Sequence, residues 1–159
     1  MLTYREIGAH DISSLFVVRI ATRENTYTMD GLDRLGITEA SVTDMIKTTH
    51  RGWLCEVDKQ VVGFAIGNRK NGEMWVIGVL PEYEGKGVGK ELLIRVEDWL
   101  WSEGWNEIWL TTDIDPSLRA YGFYRSQGWM DNEIRGGLRH MKKVNPNNAI
   151  QADAHASPP

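Results

Sequence analysis

The stretch Val79-Leu80-Pro81-Glu82-Tyr83-Glu84-Gly85-Lys86-Gly87-Val88-Gly89-Lys90 constrains this chain more than any other. An apolar strand runs into a proline, and a glycine-alternating loop then opens directly into an amphipathic helix. Backbone amides in such a loop converge on an anion, and the helix N-terminus adds partial positive charge. Glycine at alternate positions removes the side chains that would hold a diphosphate away from those amides. The loop reads as a phosphate cradle, its plain alternative being a glycine-rich turn without a ligand.

Two familiar cradles fail on spacing. A dinucleotide fingerprint counted from Gly85 requires a glycine where Lys90 stands. A P-loop requires Ser or Thr after Gly-Lys, and Glu91 follows Gly89-Lys90.

The 159 residues fit one domain with a real core. A formal charge of −4 argues against a dedicated nucleic-acid binder. Cys55, the only cysteine, excludes an intrachain disulfide and a cysteine-built zinc site, and it reads as a buried structural thiol. No metal is implied. No apolar run approaches the roughly 18 residues of a membrane span and no signal-peptide pattern is present, so the default expectation is cytoplasmic, with no membrane partner.

Periodicity gives the order of elements. Leu2 to Ile7 reads as a strand, and Asp11 as the cap of a helix with Ile12, Leu15, Phe16 and Ile20 along its inner stripe. Thr38 caps a second helix whose Val42, Met45 and Ile46 face inward. Strands follow over Gly52 to Val57, Gln60 to Asn68 and, after the Asn71-Gly72 turn, Glu73 to Val79. The next helix places Val88, Leu92, Leu93, Val96, Trp99 and Leu100 on one face and stops at Gly104. After a strand over Asn106 to Thr112, Asp115-Pro116 reads as the start of a helix ending at Gly128. Trp129 to Ile134 and Leu138 to Val144 form a last hairpin, and Asn145 to Pro159 reads as a mobile tail. The expectation is one α/β (α+β) domain over residues 1–144, in the order β-α-α-β-β-β-α-β-α-β-β.

The loop pattern Val-x-Pro-x-x-x-Gly-x-Gly-x-Gly resembles the coenzyme A pyrophosphate loop of the GNAT superfamily of N-acetyltransferases. Ser117 through Trp129 resembles that family's Asn-x-x-Ala-x-x-Phe-Tyr-x-x-x-Gly-Phe/Trp signature. The resemblance covers roughly Leu2 to Val144 and is specific over Glu73 to Trp129. It implies the GNAT fold, with a mixed, mainly antiparallel sheet flanked by helices. It also implies an N-acetyltransferase that moves the acetyl group of acetyl-CoA to a primary amine within a ternary complex.

By motif position, Tyr124 is the general acid for the leaving thiolate, or else an aromatic packed on the helix's inner face. Glu73 matches the spacing of the base glutamate in the family's histone-acetyltransferase branch, or is a solvated hairpin residue. Strand alternation places Glu73, Trp75, Ile77 and Val79 on one face, with Glu73 and Trp75 bordering one cleft. Val79 or a neighbour would offer an amide to the oxyanion. Glu84, Gly85, Lys86, Gly87, Val88, Gly89 and Lys90 would meet the pyrophosphate, and Ser117 the pantetheine side. Glu84 departs from the family's usual Gln or Arg, and its carboxylate must turn outward or pair, a lysine being the expected partner.

Arg23, Glu24, Asn25 and Tyr27 lie where the family covers its acceptor cleft. They would clamp an amino acid or a small amine-bearing toxin, or only solvate a helix end. A small-molecule amine is the expected acceptor. The alternatives are a protein N-terminus or lysine, or a catalytically silent coenzyme A sensor. A homodimer is a further expectation.

Overall fold

The computed structural model describes residues 1–147, so the expected tail lies outside the described residues from position 148 onward. Seven strands, β1 (Thr3–Glu6), β2 (His50–Val57), β3 (Gln60–Asn68), β4 (Glu73–Val79), β5 (Glu107–Thr112), β6 (Met130–Arg135) and β7 (Leu138–Val144), form one sheet in the order β1-β2-β3-β4-β5-β7-β6. Every neighbouring pair is antiparallel except β4 and β5, which run parallel. The described helices are α1 (Ile12–Ala21), α2 (Met29–Arg34), α3 (Glu39–Thr48), α4 (Val88–Ser102) and α5 (Arg119–Ser126).

The anticipated order holds, with one addition. Helix α2 is a short element between α1 and α3, capped by the Thr28 hydroxyl, which accepts from the Gly31 N–H at 3.0 Å. Six residues with one buried apolar position, Leu32, carry too little periodicity to stand out in the sequence. Thr38 caps α3 as expected, in a reciprocal pair with Ser41.

Several boundaries change for identifiable reasons. Asp11 precedes α1 but does not cap it. Its carboxylate instead accepts from both terminal nitrogens of Arg5 at 2.8 Å and from the Gly8 N–H at 2.8 Å. Ile20 is 38% exposed, and Val18, at 1%, fills the core in its place. Asp115-Pro116 does not start α5. The Asp115 carboxylate closes a local turn onto Ser117, and the helix begins at Arg119. Asn145, placed in the tail by sequence, donates its N–H to the Asn106 carbonyl at 2.8 Å.

Helix α4 buries all six residues of its expected face, Val88, Leu92, Leu93, Val96, Trp99 and Leu100, on one side of the sheet. Small residues let it approach. A Cβ at Gly63 would lie 3.0 Å from Val88, and one at Gly67 only 2.7 Å from Val96. The opposite face carries α1, where a Cβ at Gly78 would meet Thr22 at 3.2 Å.

Two irregularities in the sheet open the working region. Strands β4 and β5 share a single bridge, Glu73 to Trp109, and beyond it they part. The β3–β4 register steps from Ile66↔Val76 to Gly67↔Met74, leaving Trp75 as an extra residue in β4. The bulge breaks the expected alternation. Glu73 shares the α1 face with Val76 and Gly78, while Ile77 and Val79 lie on the α4 face.

Candidate active site

Two adjoining cavities, of about 530 and 430 Å³, occupy the space where β4 and β5 diverge. They share Thr22, Arg23, Glu24, Ile77, Ala120 and Tyr124, so the wall between them is built by β4, α5 and the end of α1.

The larger cavity is the glycine-loop cleft, with Val79, Glu84, Gly85, Gly87, Gly89 and Lys90 in its lining. Gly85 and Gly87 adopt φ of +74° and +82°, a region open to glycine at little cost. A Cβ on either would meet nothing within 4 Å, so backbone conformation rather than crowding selects these glycines. Gly87 stands at the N-terminus of α4 with no side-chain cap, and the first-turn amides have no intrahelical acceptor. The third glycine serves packing, since a Cβ on Gly89 would touch the Phe123 ring at 3.4 Å.

The remaining loop residues divide. Lys90 lines the cleft, whereas the Lys86 ammonium sits 5.4 Å above the Tyr83 ring. The Val88 side chain is buried in the core, leaving only its backbone for a ligand. Ser117 is not in either lining, and its hydroxyl donates to Asp115 at 2.7 Å.

Glu84 is paired, though not with a lysine. Arg23 donates to its carboxylate at 3.0 Å, and the Arg119 Nε lies 3.3 Å from the same oxygen. Arginines reach it because α1 ends and α5 begins beside the loop. Glu24, with φ +65°, accepts from the Arg119 N–H at 3.0 Å and so caps α5. Both charges expected to hold an acceptor thus tie α1, α5 and the glycine loop together.

The smaller cavity is lined by Glu73, Trp75, Asn25 and Tyr27, all anticipated from sequence. Asn25 is structural. Its amide donates to the Ile20 and Tyr27 carbonyls at 3.1 and 2.6 Å and accepts from the Tyr27 N–H at 3.1 Å. Trp75, on the bulge, meets His50 edge-on at 5.2 Å. Burial raises the Glu73 carboxyl above the ordinary range, opposed by a hydrogen bond from Asn71.

Tyr124 lies on α5 at the junction of the two cavities and is 6% exposed. The ring packs against Phe123 and Trp129 at 5.5 and 6.3 Å, as the packed-aromatic reading expects, and the residue also lines both cavities. Burial pushes its hydroxyl far above the usual phenol range, so it remains a proton donor at neutral pH.

Arg19 was missed. It lines the smaller cavity, donates from Nη1 to the Asn25 side-chain Oδ1 at 3.0 Å, and stacks 5.0 Å from the Tyr27 ring centre. The signal was present, because Ile12, Leu15, Phe16 and Arg19 continue one helical stripe.

The chain matches the Acetyltransferase (GNAT) family over residues 16–129. It belongs to that family. The GNAT assignment makes acetyl-CoA the expected occupant of the larger cleft, and the open, positive-φ glycines and uncapped helix start fit a diphosphate there. Mycothiol acetyltransferase from Renibacterium salmoninarum is 31% identical over 110 residues, covering 63% of this chain and 32% of that protein. The chain therefore spans about a third of that relative's length.

Among solved structures, the PaiA N-acetyltransferase of Thermoplasma acidophilum in complex with coenzyme A superposes with a TM-score of 0.79 at 19% identity. The match covers 91% of this chain and 99% of that one. The ribosomal-protein-S18-alanine N-acetyltransferase of Escherichia coli gives 0.71 at 18% identity, covering 91% and 94%. At these identities the likeness is one of fold. Among the described residues no helix is long and apolar enough to cross a membrane, and no cluster of metal-ligating side chains is present.

Proposed function

We propose that this GNAT protein transfers the acetyl group of acetyl-CoA to the primary amine of a small molecule. The observation that carries the reading is Tyr124, a buried phenol set where the glycine-loop cleft meets a second cavity. When bound, acetyl-CoA supplies an acetyl thioester, whose C–S bond breaks as the C–N bond to the amine forms.

The chain's residues have separable tasks. The Gly85–Lys90 backbone and Lys90 hold the diphosphate, with Arg23 and Arg119 beside it. The backbone around Val79 offers an amide to the acyl oxygen. The Tyr124 hydroxyl gives its proton to the leaving sulfur. Glu73 takes the proton of the amine, directly or through water, since an unprotonated amine is the nucleophile. Its raised carboxyl suits a base, because a proton acceptor works best with a pKa nearer the operating pH.

A small acceptor is favoured because the second cavity, of about 430 Å³, has the volume of a small-molecule site and is walled by residues of α1, α2 and α3. The mycothiol acetyltransferase likeness points the same way. Incubation with acetyl-CoA and pooled amines, amino acids and peptides, following thiol release and product mass together, tests the reading. Release with a 42-dalton (about one acetyl group) gain on a small amine is expected. Tight cofactor binding without release across all pools would favour the silent sensor instead.

A further inference from the structure

Five charged residues line the acceptor cavity: Arg19, Arg23, Glu24, Glu73 and Asp113. Two of them are spent elsewhere, Arg23 on Glu84 and Glu24 on the first amide of α5. Of the remaining three, only Arg19 is cationic, and among the described residues it has no carboxylate partner. Its recorded contacts are the neutral Asn25 amide at 3.0 Å and the face of Tyr27 at 5.0 Å.

An arginine stays protonated in proteins, and a guanidinium drawn out of water is costly unless an anion meets it. Arg19 is half-buried, and that burial lowers its pKa, with Tyr27 and Tyr124 near enough to oppose the shift. Asn25 is itself held by three bonds to the backbone, so Arg19 is aimed by a rigid neighbour and not left to wander. It has donors to spare: five N–H groups, of which one is engaged by Asn25.

We infer that Arg19 receives the carboxylate of the acceptor, and that the acceptor is a free α-amino acid with an apolar side chain. The inference rests on the acetyltransferase reading above. Shared walls supply the first half. Arg19 and Tyr124 line the same cavity, and Tyr124 also lines the glycine-loop cleft, so one small molecule seated there presents its amine toward Tyr124 and its carboxylate to Arg19, as an α-amino acid does. The rest of the wall supplies the second half, because Leu15, Phe16, Leu32, Val42 and Trp75 line the same cavity. A peptide N-terminus or a protein lysine lacks the adjacent carboxylate and would leave the guanidinium unmet.

The test compares free leucine, methionine and phenylalanine with their carboxamides as acceptors, alongside acetyl-CoA affinity measured by calorimetry. The carboxamides are the readier nucleophiles at neutral pH, being less basic, so any preference for the acids comes from the protein. Wild-type protein should favour the free acids in kcat/KM by about tenfold or more, the size expected of a charged hydrogen-bonded pair. Arg19→Gln should reverse the preference with unchanged acetyl-CoA affinity, and Arg19→Lys should keep part of it. Equal or better use of the amides by wild type overturns the inference while leaving the transferase intact, and needs no variant to fold. An unaltered acid preference in Arg19→Gln overturns it equally. Failure to bind acetyl-CoA would remove the transferase reading and this inference with it.

Discussion

Arg23 Nε donates to the Glu84 carboxylate at 3.0 Å, joining the exit of α1 to the glycine loop across 61 residues of sequence. Arg119 approaches the same oxygen from α5 at 3.3 Å. One carboxylate therefore gathers two guanidinium groups at the rim of the glycine-loop cleft. Both arginines are more than half exposed, which limits the strength of each pair.

Replacing that carboxylate should strengthen cofactor binding. Glu84→Gln removes a negative charge beside the diphosphate and frees two cations for it. Acetyl-CoA affinity is expected to rise about two- to fivefold at low salt, and the gain should shrink as salt is added. Calorimetric titrations at two ionic strengths check this; weaker binding would mean that Glu84 serves chiefly to shape the loop.

Glu73 gives a prediction with opposite signs for activity and stability. Its carboxyl is raised by burial, so folding favours the protonated form. The stability it contributes is present below the unfolded carboxyl pKa and is lost as pH rises through the raised folded value. Glu73→Gln mimics the protonated form, so it should melt higher than wild type at pH 7, and the difference should fade at pH 4. Acetyl transfer should fall by about 10²-fold or more, the usual worth of a general base. Thermal melts at both pH values and steady-state kinetics decide it.

Stability rests elsewhere on a buried charge pair. The Glu97 carboxylate, 4% exposed, accepts from Lys143 at 2.9 Å and from the Trp129 indole at 2.8 Å. Lys143 also donates to the Gln127 carbonyl at 2.8 Å, tying β7 to the end of α5. Lys143→Met should leave a buried carboxylate without its cation and cost about 3 kcal/mol. A fall in Tm of about 6–12 °C is expected. Adding Glu97→Gln should recover part of the loss.

Most of this architecture was legible in the sequence because its strongest signals are local. The α4 face, the Asn71-Gly72 turn and the glycine loop are each specified by residues a few positions apart, and they appear where periodicity placed them. What escaped depends on distant partners. Asp11 looked like a helix cap until Arg5 claimed its carboxylate, and Arg23 looked like an acceptor clamp until Glu84 did. The Trp75 bulge is a mismatch between two strands, which neither strand shows by itself, and it moves Glu73 to the other face of the sheet. Arg19 escapes for a simpler reason: Ile20, four residues after Phe16, also fits the stripe and is apolar, whereas Arg19, seven after Ile12, lies nearer its centre and lines the cavity.

The central claim is that Tyr124 acts as the acid of an acetyl transfer, and Tyr124→Phe tests it most directly. The ring packing against Phe123 and Trp129 survives the change, and no protein hydrogen bond to the hydroxyl is recorded among the described residues, so folding should be little affected. With the acceptor found in the pooled screen, kcat should drop by about 10²–10⁴-fold while acetyl-CoA affinity and Tm stay near wild type. Unchanged turnover in Tyr124→Phe would contradict the account.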